Sequence, residues 1–344
     1  MKKQTLFAGG VAGFAVFVIG FGYYFYQMLY TPNVLVEQSA EVFFVRTGET
    51  FDEVRDRLGE DRIVNDILSF SVLAKLKNYD ELVKPGRYVL QPDMTNLQLV
   101  NKLRAGDQDA VRVTFNTIRW REELAEKITA NLEISAEEFL TQLKSPAMAQ
   151  KYGLTVETLP VLFIPNTYEM YWDISVEELF AKMHGEYEAF WTAERRAKAE
   201  EMGRSLAEVS ILASIVQEEV SHWEEAPKVA GLYLNRLDRG NRLDADPTLK
   251  YAAGDYTITR VLNKHKEIDS PYNTYKYSGL PPGPICLPEL QALLAVLNAE
   301  DHGYLYMCAS PDFNGYHNFA RTLSEHNRNA ARYQQALNQR GIYN

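Results

Sequence analysis

The segment Ile211-Leu-Ala-Ser-Ile-Val-Gln-Glu-Glu-Val220 predicts an α-helix with one apolar face. At about 100° per residue, its two isoleucines, its leucine and its first valine share a face whose centre lies at roughly 70° from Ile211. On the same scale Glu219 points at about 80°, whereas Glu218 lies roughly 90° from that centre. We therefore expect Glu219 to point into the apolar side of the helix and Glu218 toward its edge.

A carboxyl group that faces an apolar wall loses hydration in its charged form, so its pKa rises. A raised pKa would keep Glu219 protonated near neutral pH, which is the state that a general acid needs to protonate a leaving oxygen. The alternative is a structural role, in which Glu219 forms an ion pair with a buried arginine such as Arg236.

The segments that follow this helix combine amides, hydroxyls and tyrosine rings. Amides and hydroxyls match the hydroxyl groups of sugars, and aromatic rings stack on sugar faces, so the combination is typical of a sugar-binding cleft. Taken singly, each segment is also typical of a turn or a helix cap. The segments are Asn235-Arg-Leu237, Asp246-Pro-Thr248, Tyr272-Asn-Thr-Tyr275, Gly279-Leu-Pro-Pro-Gly283 and His317-Asn-Phe319.

Composition excludes several classes of protein. The chain has 344 residues, 46% apolar and 24% charged, which predicts a mostly globular protein of two to three domains. Its net charge of −10 argues against a nucleic-acid partner. Its two cysteines, Cys286 and Cys308, exclude a disulfide-rich scaffold and a four-cysteine zinc site. They are expected either to pair with each other or to remain two free thiols.

The sequence lacks the usual signals of several other chemistries. It contains no nucleophile elbow, Walker loop or dinucleotide fingerprint. None of the six histidines forms an H-E-x-x-H motif, and His317 and His326 lack a clear third ligand, so neither a metal nor a cofactor is expected. Cys286 lies in an apolar, proline-rich stretch that is more typical of packing than of a nucleophile.

The N-terminus predicts a membrane anchor over residues 1–36. Residues 6–26 are apolar and, at about 1.5 Å per residue, long enough to cross a hydrocarbon core of about 30 Å. Lys2 and Lys3 precede this stretch, so the positive-inside rule predicts a single-pass protein of the cytoplasmic (inner) membrane with its C-terminal bulk on the periplasmic side. A cleaved signal peptide is the alternative, but its apolar region should be about 7–15 residues long with a small-x-small site at its end.

After a linker at about residues 31–40, the pattern predicts a small βααβ module over residues 41–108, followed by the main domain over residues 109–344. The order resembles that of LysM-type modules, which bind cell-wall glycan, although a spacer with the same fold is equally compatible with it. The predicted elements are a strand at 42–45, a helix that starts at the capping box Thr50-Phe-Asp-Glu53, a helix at 66–76, a strand at 87–90 and a helix that starts at the capping box Thr95-Asn-Leu-Gln98.

Together these segments resemble the YceG/MltG family of endolytic murein transglycosylases. The resemblance extends over essentially the whole chain and implies an α+β fold, with a single N-terminal transmembrane helix, a LysM-like module and a YceG-like catalytic domain. The matching pieces are Lys84-Pro-Gly-Arg-Tyr88, Pro165-Asn-Thr-Tyr-Glu169, Ala213-Ser-Ile-Val-Gln-Glu-Glu219, Val229-Ala-x4-Asn235-Arg-Leu237, Asp246-Pro-Thr248, Tyr272-Asn-Thr-Tyr275, Gly279-Leu-Pro-Pro-Gly-Pro-Ile285, Tyr304-Leu-Tyr306, His317-Asn-Phe319 and His326-Asn327.

The resemblance implies that Glu219 is the catalytic residue, because the family's catalytic glutamate ends its motif A-S-I-(I/V)-E-K-E. This chain departs from the family at Gln217 and Glu218 within that motif, and at Asn166, where an aspartate is usual. Residues near the glycan would be Asn235, Asp246, Thr248, Tyr272, Asn273, Tyr275, His317 and Asn318.

The implied reaction cuts the β-1,4 bond between N-acetylmuramic acid and N-acetylglucosamine within glycan strands. A single carboxyl group suffices, because the muramic acid 6-hydroxyl is the nucleophile and the product is a 1,6-anhydro sugar. The resemblance also implies peptidoglycan synthases as partners and the termination of nascent strands. Two alternatives remain: a hydrolytic muramidase with Asp246 or Glu169 as second carboxylate, and a non-catalytic wall-binding scaffold.

Overall fold

The computed structural model describes residues 2–35, 40–258 and 261–341. The chain divides into two compact units. The first unit comprises Met1–Val113, Asn131–Ile134 and Glu169–Ile174, and the second comprises the remaining segments. Helices and short strands are mixed in the chain, so the predicted α+β class is confirmed at this level.

The elements up to residue 115 follow the predicted order. They are helix α1 (Lys2–Tyr30), strand β1 (Glu41–Val45), helices α2 (Phe51–Glu60) and α3 (Ile67–Leu76), strand β2 (Gly86–Leu90), helix α4 (Asn96–Ala105) and strand β3 (Val111–Phe115).

Helix α1 contains the apolar segment predicted from the sequence. Within the described residues, Gly9–Tyr30 is the one helical segment of 18 residues or more that is apolar enough to cross a membrane. This is consistent with a single-pass anchor.

The module is stabilised by the pairing of its two strands and by the caps of its helices. β1 and β2 are antiparallel, with Glu41 opposite Leu90 and Val45 opposite Gly86. Both predicted capping boxes are present, one before α2 and one before α4. Apolar side chains of both strands and of α2, α3 and α4 form one buried core. The βααβ order is therefore as expected, while a LysM-type function remains a prediction.

The predicted linker at residues 31–40 is partly wrong. Asn33 and Val34 are buried, and their backbone amides donate to the carbonyl of Met94 at 3.0 and 3.1 Å. The chain therefore joins the module directly after α1. Pattern reading missed this because a short polar segment without periodicity looks like a linker. Residues 36–39 lie outside the described part of the chain.

The first unit also includes Asn131–Ile134 and Glu169–Ile174, two segments that lie after the predicted domain boundary at residue 109. Thr47 donates through its backbone amide and its hydroxyl to Glu133, at 2.8 and 2.6 Å. The ring of Phe44 packs against Trp172, with centroids 4.8 Å apart. Such contacts between distant positions leave no periodic trace in the sequence.

The second unit is mainly helical, and α10 lies in its core. Residues 209–216 of α10 are buried, and the helix packs against α11, α12 and α14. Strand β5 pairs antiparallel with β6. The elements are α5 (Arg121–Thr129), α6 (Ala136–Leu143), α7 (Pro146–Lys151), β4 (Asn166–Met170), α8 (Val176–Phe190), α9 (Ala193–Glu201), α10 (Leu206–Glu219), α11 (Ala226–Asp238), α12 (Asp246–Ala253), α13 (Asn263–Lys266), α14 (Leu290–Leu297), β5 (Tyr306–Ala309), β6 (His317–Ala320) and α15 (Leu323–Gln339).

Candidate active site

Glu219 is the last residue of the buried helix α10. The helix starts at a capping box formed by Ser205 and Glu208, and it ends because Val220 adopts an extended conformation. The apolar residues before Glu219 pack in the core of the second unit, which fixes the position of the helix end. Glu219 is therefore presented at a defined point, at the border between the core and an open cleft.

The carboxyl group of Glu219 accepts a hydrogen bond from the hydroxyl of Tyr233 on α11, with an O–O distance of 2.6 Å. Burial raises the pKa of Tyr233 well above its usual value, so this hydroxyl remains a donor. The bond fixes the direction of the carboxyl group. Tyr233 was not predicted from the sequence, because it occupies one of the four variable positions (x4) of the matching segment Val229-Ala-x4-Asn235.

The environment raises the pKa of Glu219 to about 7. The largest cause is desolvation of the carboxyl group, although the residue as a whole is partly exposed, and the nearby charge of Asp246 acts in the same direction. The hydrogen bond from Tyr233 and the positive charges of His317 and Lys250 act in the opposite direction. Near neutral pH, Glu219 can therefore either donate or accept a proton.

Arg236, the suggested ion-pair partner of Glu219, has other partners. It is buried, it forms an ion pair with Asp244, and it donates to the backbone carbonyl of Leu305 at 2.8 Å. It also donates to the carbonyl of Arg242 at 2.7 Å. Arg236 thus ties together the loops that follow α11, and the alternative in which it neutralises Glu219 does not hold.

Glu219 lies in a cleft of about 650 Å³. Of the predicted site residues, Glu219, Asp246, Tyr275 and His317 line this cleft. A neighbouring concavity of about 830 Å³ shares Tyr275 and several other residues with it. The two concavities therefore adjoin, and the open space beside Glu219 is larger than the cleft alone.

Asp246 and Tyr275 are joined across the cleft wall. Asp246 is the first residue of α12, and its carboxylate accepts a hydrogen bond of 2.6 Å from the Tyr275 hydroxyl. The ammonium group of Lys266 lies 4.6 Å from the centre of the Tyr275 ring. Burial, followed by the charge of Asp246, raises the pKa of Tyr275, so its hydroxyl also remains protonated.

His317 is held by a buried carboxylate. Glu225 accepts from the backbone amide of His317 at 2.9 Å, and its second oxygen lies 2.7 Å from Nδ1 of the same residue. A bond at Nδ1 leaves Nε2 as the ring atom through which His317 can meet a ligand. Sequence reasoning missed Glu225, because a glutamate in the stretch Trp223-Glu-Glu225 looks like a solvated residue.

Other predicted binding residues hold loops rather than line the cleft. The amide of Asn235 donates to the carbonyls of His302 and Tyr304, at 2.6 and 3.1 Å. Thr248 is fully buried and donates to the carbonyl of Ala245 at 2.7 Å. Asn273, also buried, donates to the carbonyls of Lys266 and Ile268 at 3.0 and 2.8 Å. A direct contact of these three side chains with glycan would require them to give up these bonds.

Tyr272 and Asn318 are also placed apart from the residues that line the cleft. Tyr272 lines a small, separate depression with Tyr251, where the two ring centroids are 4.6 Å apart. Asn318 lies in β6 next to His317, and successive side chains of a strand point to opposite faces. Neither residue is among those described as lining the Glu219 cleft.

The three departures from the family motifs have structural partners in this chain. Gln217 donates to Thr117 at 2.7 Å and accepts from the backbone amide of Glu289 at 2.7 Å. Glu218 forms an ion pair of 2.9 Å with Arg119. Asn166 accepts from the backbone amide of the next residue at 2.8 Å. Gln217 and Glu218 therefore help to hold the end of α10, while Glu219 alone points into the cleft.

Both cysteines are free thiols. Cys286 is buried and its Sγ lies 3.6 Å from the carbonyl oxygen of Ser214, which fits the expected packing role. Cys308 lines the cleft. Burial raises the pKa of both thiols. Within the described residues, no group of three or more histidine, cysteine or acidic side chains could hold a metal ion.

Comparison with known proteins places the chain in a family. Residues 43–332 match the model of the YceG-like family. The chain belongs to this family. A crystal structure of a YceG-like protein from Listeria monocytogenes has the same fold, with a TM-score of 0.55 and 27% identity, over 84% of this chain and 99% of that one.

Two relatives of this YceG-like chain carry a functional name, "Endolytic murein transglycosylase". The protein from Streptococcus pneumoniae serotype 2 (strain D39 / NCTC 7466) is 27% identical over 350 residues, which is 91% of this chain and 62% of the relative. The protein from Bacillus subtilis (strain 168) is 40% identical over 136 residues, which is 40% of this chain and 37% of the relative. The chain thus spans less than two thirds of the length of either relative.

Proposed function

We propose that this protein is an endolytic lytic transglycosylase that cleaves the β-1,4 bond between N-acetylmuramic acid and N-acetylglucosamine within peptidoglycan strands. The observation that carries the proposal is the carboxyl group of Glu219, which lies in an open cleft and whose pKa is raised to about 7. The names of the pneumococcal and Bacillus relatives support the choice of substrate.

In the first step, protonated Glu219 donates its proton to the glycosidic oxygen, and the bond from that oxygen to C1 of the muramic acid breaks. In the second step, the 6-hydroxyl of the same muramic acid forms a new bond to C1, and its proton returns to Glu219. Water is neither consumed nor activated, and the product ends in a 1,6-anhydro sugar. A pKa near 7 suits both directions of proton transfer by one group.

The neighbours of Glu219 support these steps. Tyr233 keeps the carboxyl group oriented through its hydrogen bond of 2.6 Å. Asp246 disfavours ionisation of Glu219 through its own negative charge, so more of Glu219 stays in the acid form. Tyr275 and His317 line the same cleft and offer a ring face and a ring nitrogen to a sugar. No metal or cofactor takes part in the proposed steps.

A hydrolytic muramidase is the second candidate. Asp246 lies in the same cleft as Glu219, which is the arrangement that a two-carboxylate hydrolase would need. Its bond to Tyr275, however, occupies one carboxylate oxygen and favours a role in setting the charge of the cleft. The other proposed second carboxylate, Glu169, belongs to the first compact unit.

The remaining expectations concern the cellular context. We propose that α1 anchors the protein in the cytoplasmic membrane, with the two units on the outer side. The module over residues 41–108 would be LysM-like and would contact glycan. Peptidoglycan synthases would be partners in terminating nascent strands. An anchor fits this role, because nascent strands are made at the membrane surface.

The test is mass spectrometry of fragments released from peptidoglycan, both mature sacculi and nascent uncrosslinked strands, by the full chain in detergent. We expect anhydro-ended fragments from the wild type, and none from a Glu219→Gln variant. Glu218→Gln is the matched control, because it removes the adjacent carboxylate and should retain anhydro products. Fragments with reducing ends would favour the muramidase. Anhydro products at the wild-type rate from a folded Glu219→Gln protein would overturn the proposal, and release of no fragments from any substrate would favour the scaffold.

A further inference from the structure

The outer face of α3 carries an exposed apolar stripe. Leu68, Val72 and Leu76 follow each other at spacings of four residues, and their exposed fractions are 73%, 49% and 61%. Side chains four residues apart lie on the same side of a helix. The opposite side of α3 faces the core of the module, where Phe70 and Leu73 are buried. A row of three large apolar side chains is seldom left in water, so the stripe indicates a contact surface.

The start of α3 is tied to the end of α1 by two asparagines. The amide of Asn96 donates to the carbonyl of Met28 at 3.1 Å and to the hydroxyl of Ser69 at 2.9 Å. Asn33 accepts from the backbone amide of Asp66 at 2.7 Å and donates to the carbonyl of the same residue at 3.0 Å. The beginning of the stripe is therefore held close to the last turn of α1.

The length of α1 brings this junction to the membrane surface. The apolar segment Gly9–Tyr30 has 22 residues. At about 1.5 Å per residue it spans about 33 Å, close to the roughly 30 Å of a bilayer's hydrocarbon core. Met28, in the last turn of α1, is only 4% exposed because it packs in the core of the module. No spacer separates the membrane helix from the folded module.

We propose that the α3 stripe lies in the interfacial region of the same bilayer that α1 crosses, in the leaflet at which α1 ends. The occupant of the stripe is lipid, because α3 is tied directly to the end of the membrane helix. Lys75 is exposed on α3 beside the stripe, where its ammonium group can reach lipid phosphates. Together, α1 and α3 fix the orientation of the module relative to the membrane. The inference depends on α1 spanning the bilayer but not on the proposed enzymatic activity.

The test measures the depth of single labelled positions in vesicles of phosphatidylethanolamine and phosphatidylglycerol. Cys308, the more accessible native thiol, is replaced by alanine, and the full chain is labelled with an environment-sensitive fluorophore at Val72→Cys. Glu60→Cys, exposed on α2 of the same module, is the matched control, and Phe17→Cys reports insertion of α1. Lipids with a quencher near the headgroup or deep in the acyl chain report the depth.

We expect the shallow quencher to reduce the fluorescence at position 72 at least twofold more than at position 60, and the deep quencher to act most strongly at position 17. Equal, weak quenching at positions 72 and 60 with strong quenching at 17 would overturn the α3 contact and leave the anchor in place. Weak quenching at 17 would remove the anchor, and the proposal with it. Shielding of position 72 from aqueous iodide without quenching by lipid would assign the stripe to a protein partner and also overturn the proposal.

Discussion

Replacing Glu219 by glutamine should stabilise the protein above pH 7 and leave it nearly unchanged at pH 4. The pKa of Glu219 is raised from 4.5 to about 7 in the folded protein. A group whose pKa is raised by folding contributes fully to stability when the pH is below its pKa in the unfolded chain. This contribution is lost as the pH rises through its pKa in the folded protein. The wild type therefore loses stability between about pH 4.5 and 7, and the glutamine variant does not.

The size of the effect follows from the shift. Each pKa unit corresponds to about 1.4 kcal/mol, so a shift from 4.5 to about 7 sets an upper limit of about 3 kcal/mol. Because Glu219 is partly exposed, solvent screening should reduce the gain to about 1–2 kcal/mol. The glutamine can keep the hydrogen bond from Tyr233 through its amide oxygen, so the substitution removes the charge and little else.

Urea unfolding of the full chain in detergent at pH 4 and pH 8.5, followed by tryptophan fluorescence, measures this difference. Of the four tryptophans, Trp120, Trp191 and Trp223 belong to the second unit, so the signal reports mainly on the unit that contains Glu219. Glu218→Gln is the control, and it should give no gain at high pH because Glu218 is paired with Arg119. An equal effect of Glu219→Gln at both pH values would refute the reasoning.

Three further predictions concern the neighbours of Glu219. Tyr233→Phe removes a charge-assisted hydrogen bond worth about 1.5–3 kcal/mol, so the pKa of Glu219 should rise by ~1–2 pH units from about 7. The alkaline midpoint of the pH–rate profile of anhydro-product release should rise by the same amount, and an unchanged midpoint would contradict this. Glu225→Gln should lower kcat at least tenfold, because His317 loses the carboxylate at its ring; a wild-type rate would exclude this role. Arg236→Met should lower the free energy of unfolding by about 2 kcal/mol, because Asp244 and the carbonyls of Arg242 and Leu305 lose the buried guanidinium as their donor. A loss below about 1 kcal/mol would count against that role.

The sequence predicted those parts of the fold that depend on local pattern. Helical periodicity gave the direction of Glu219, and α10 ends at that residue. The capping boxes at Thr50 and Thr95 are present, because a short polar side chain followed three residues later by a glutamate or glutamine satisfies orphan amides wherever the helix lies. Such signals need no knowledge of tertiary contacts.

The parts that the sequence did not predict depend on contacts between distant positions. Tyr233 was not among the predicted site residues, because only the packing of α11 against α10 brings its hydroxyl to Glu219. Asn235 and Asn273 looked like sugar ligands because exposed amides bind hydroxyl groups. In the fold, their amides satisfy backbone carbonyls of neighbouring loops. An asparagine in a motif can thus be required for the shape of a cleft without touching its ligand.

The position of Glu219 at the end of α10 is itself part of its chemistry. The C-terminal end of a helix carries a partial negative charge from unpaired carbonyl groups, which disfavours a second negative charge there. No basic residue occupies the last turn of α10, so no cation on the helix offsets this effect. The adjacent Glu218 is balanced by Arg119. A carboxylate that faces apolar packing, the negative end of a helix and the charge of Asp246 is thereby held as an acid near neutral pH.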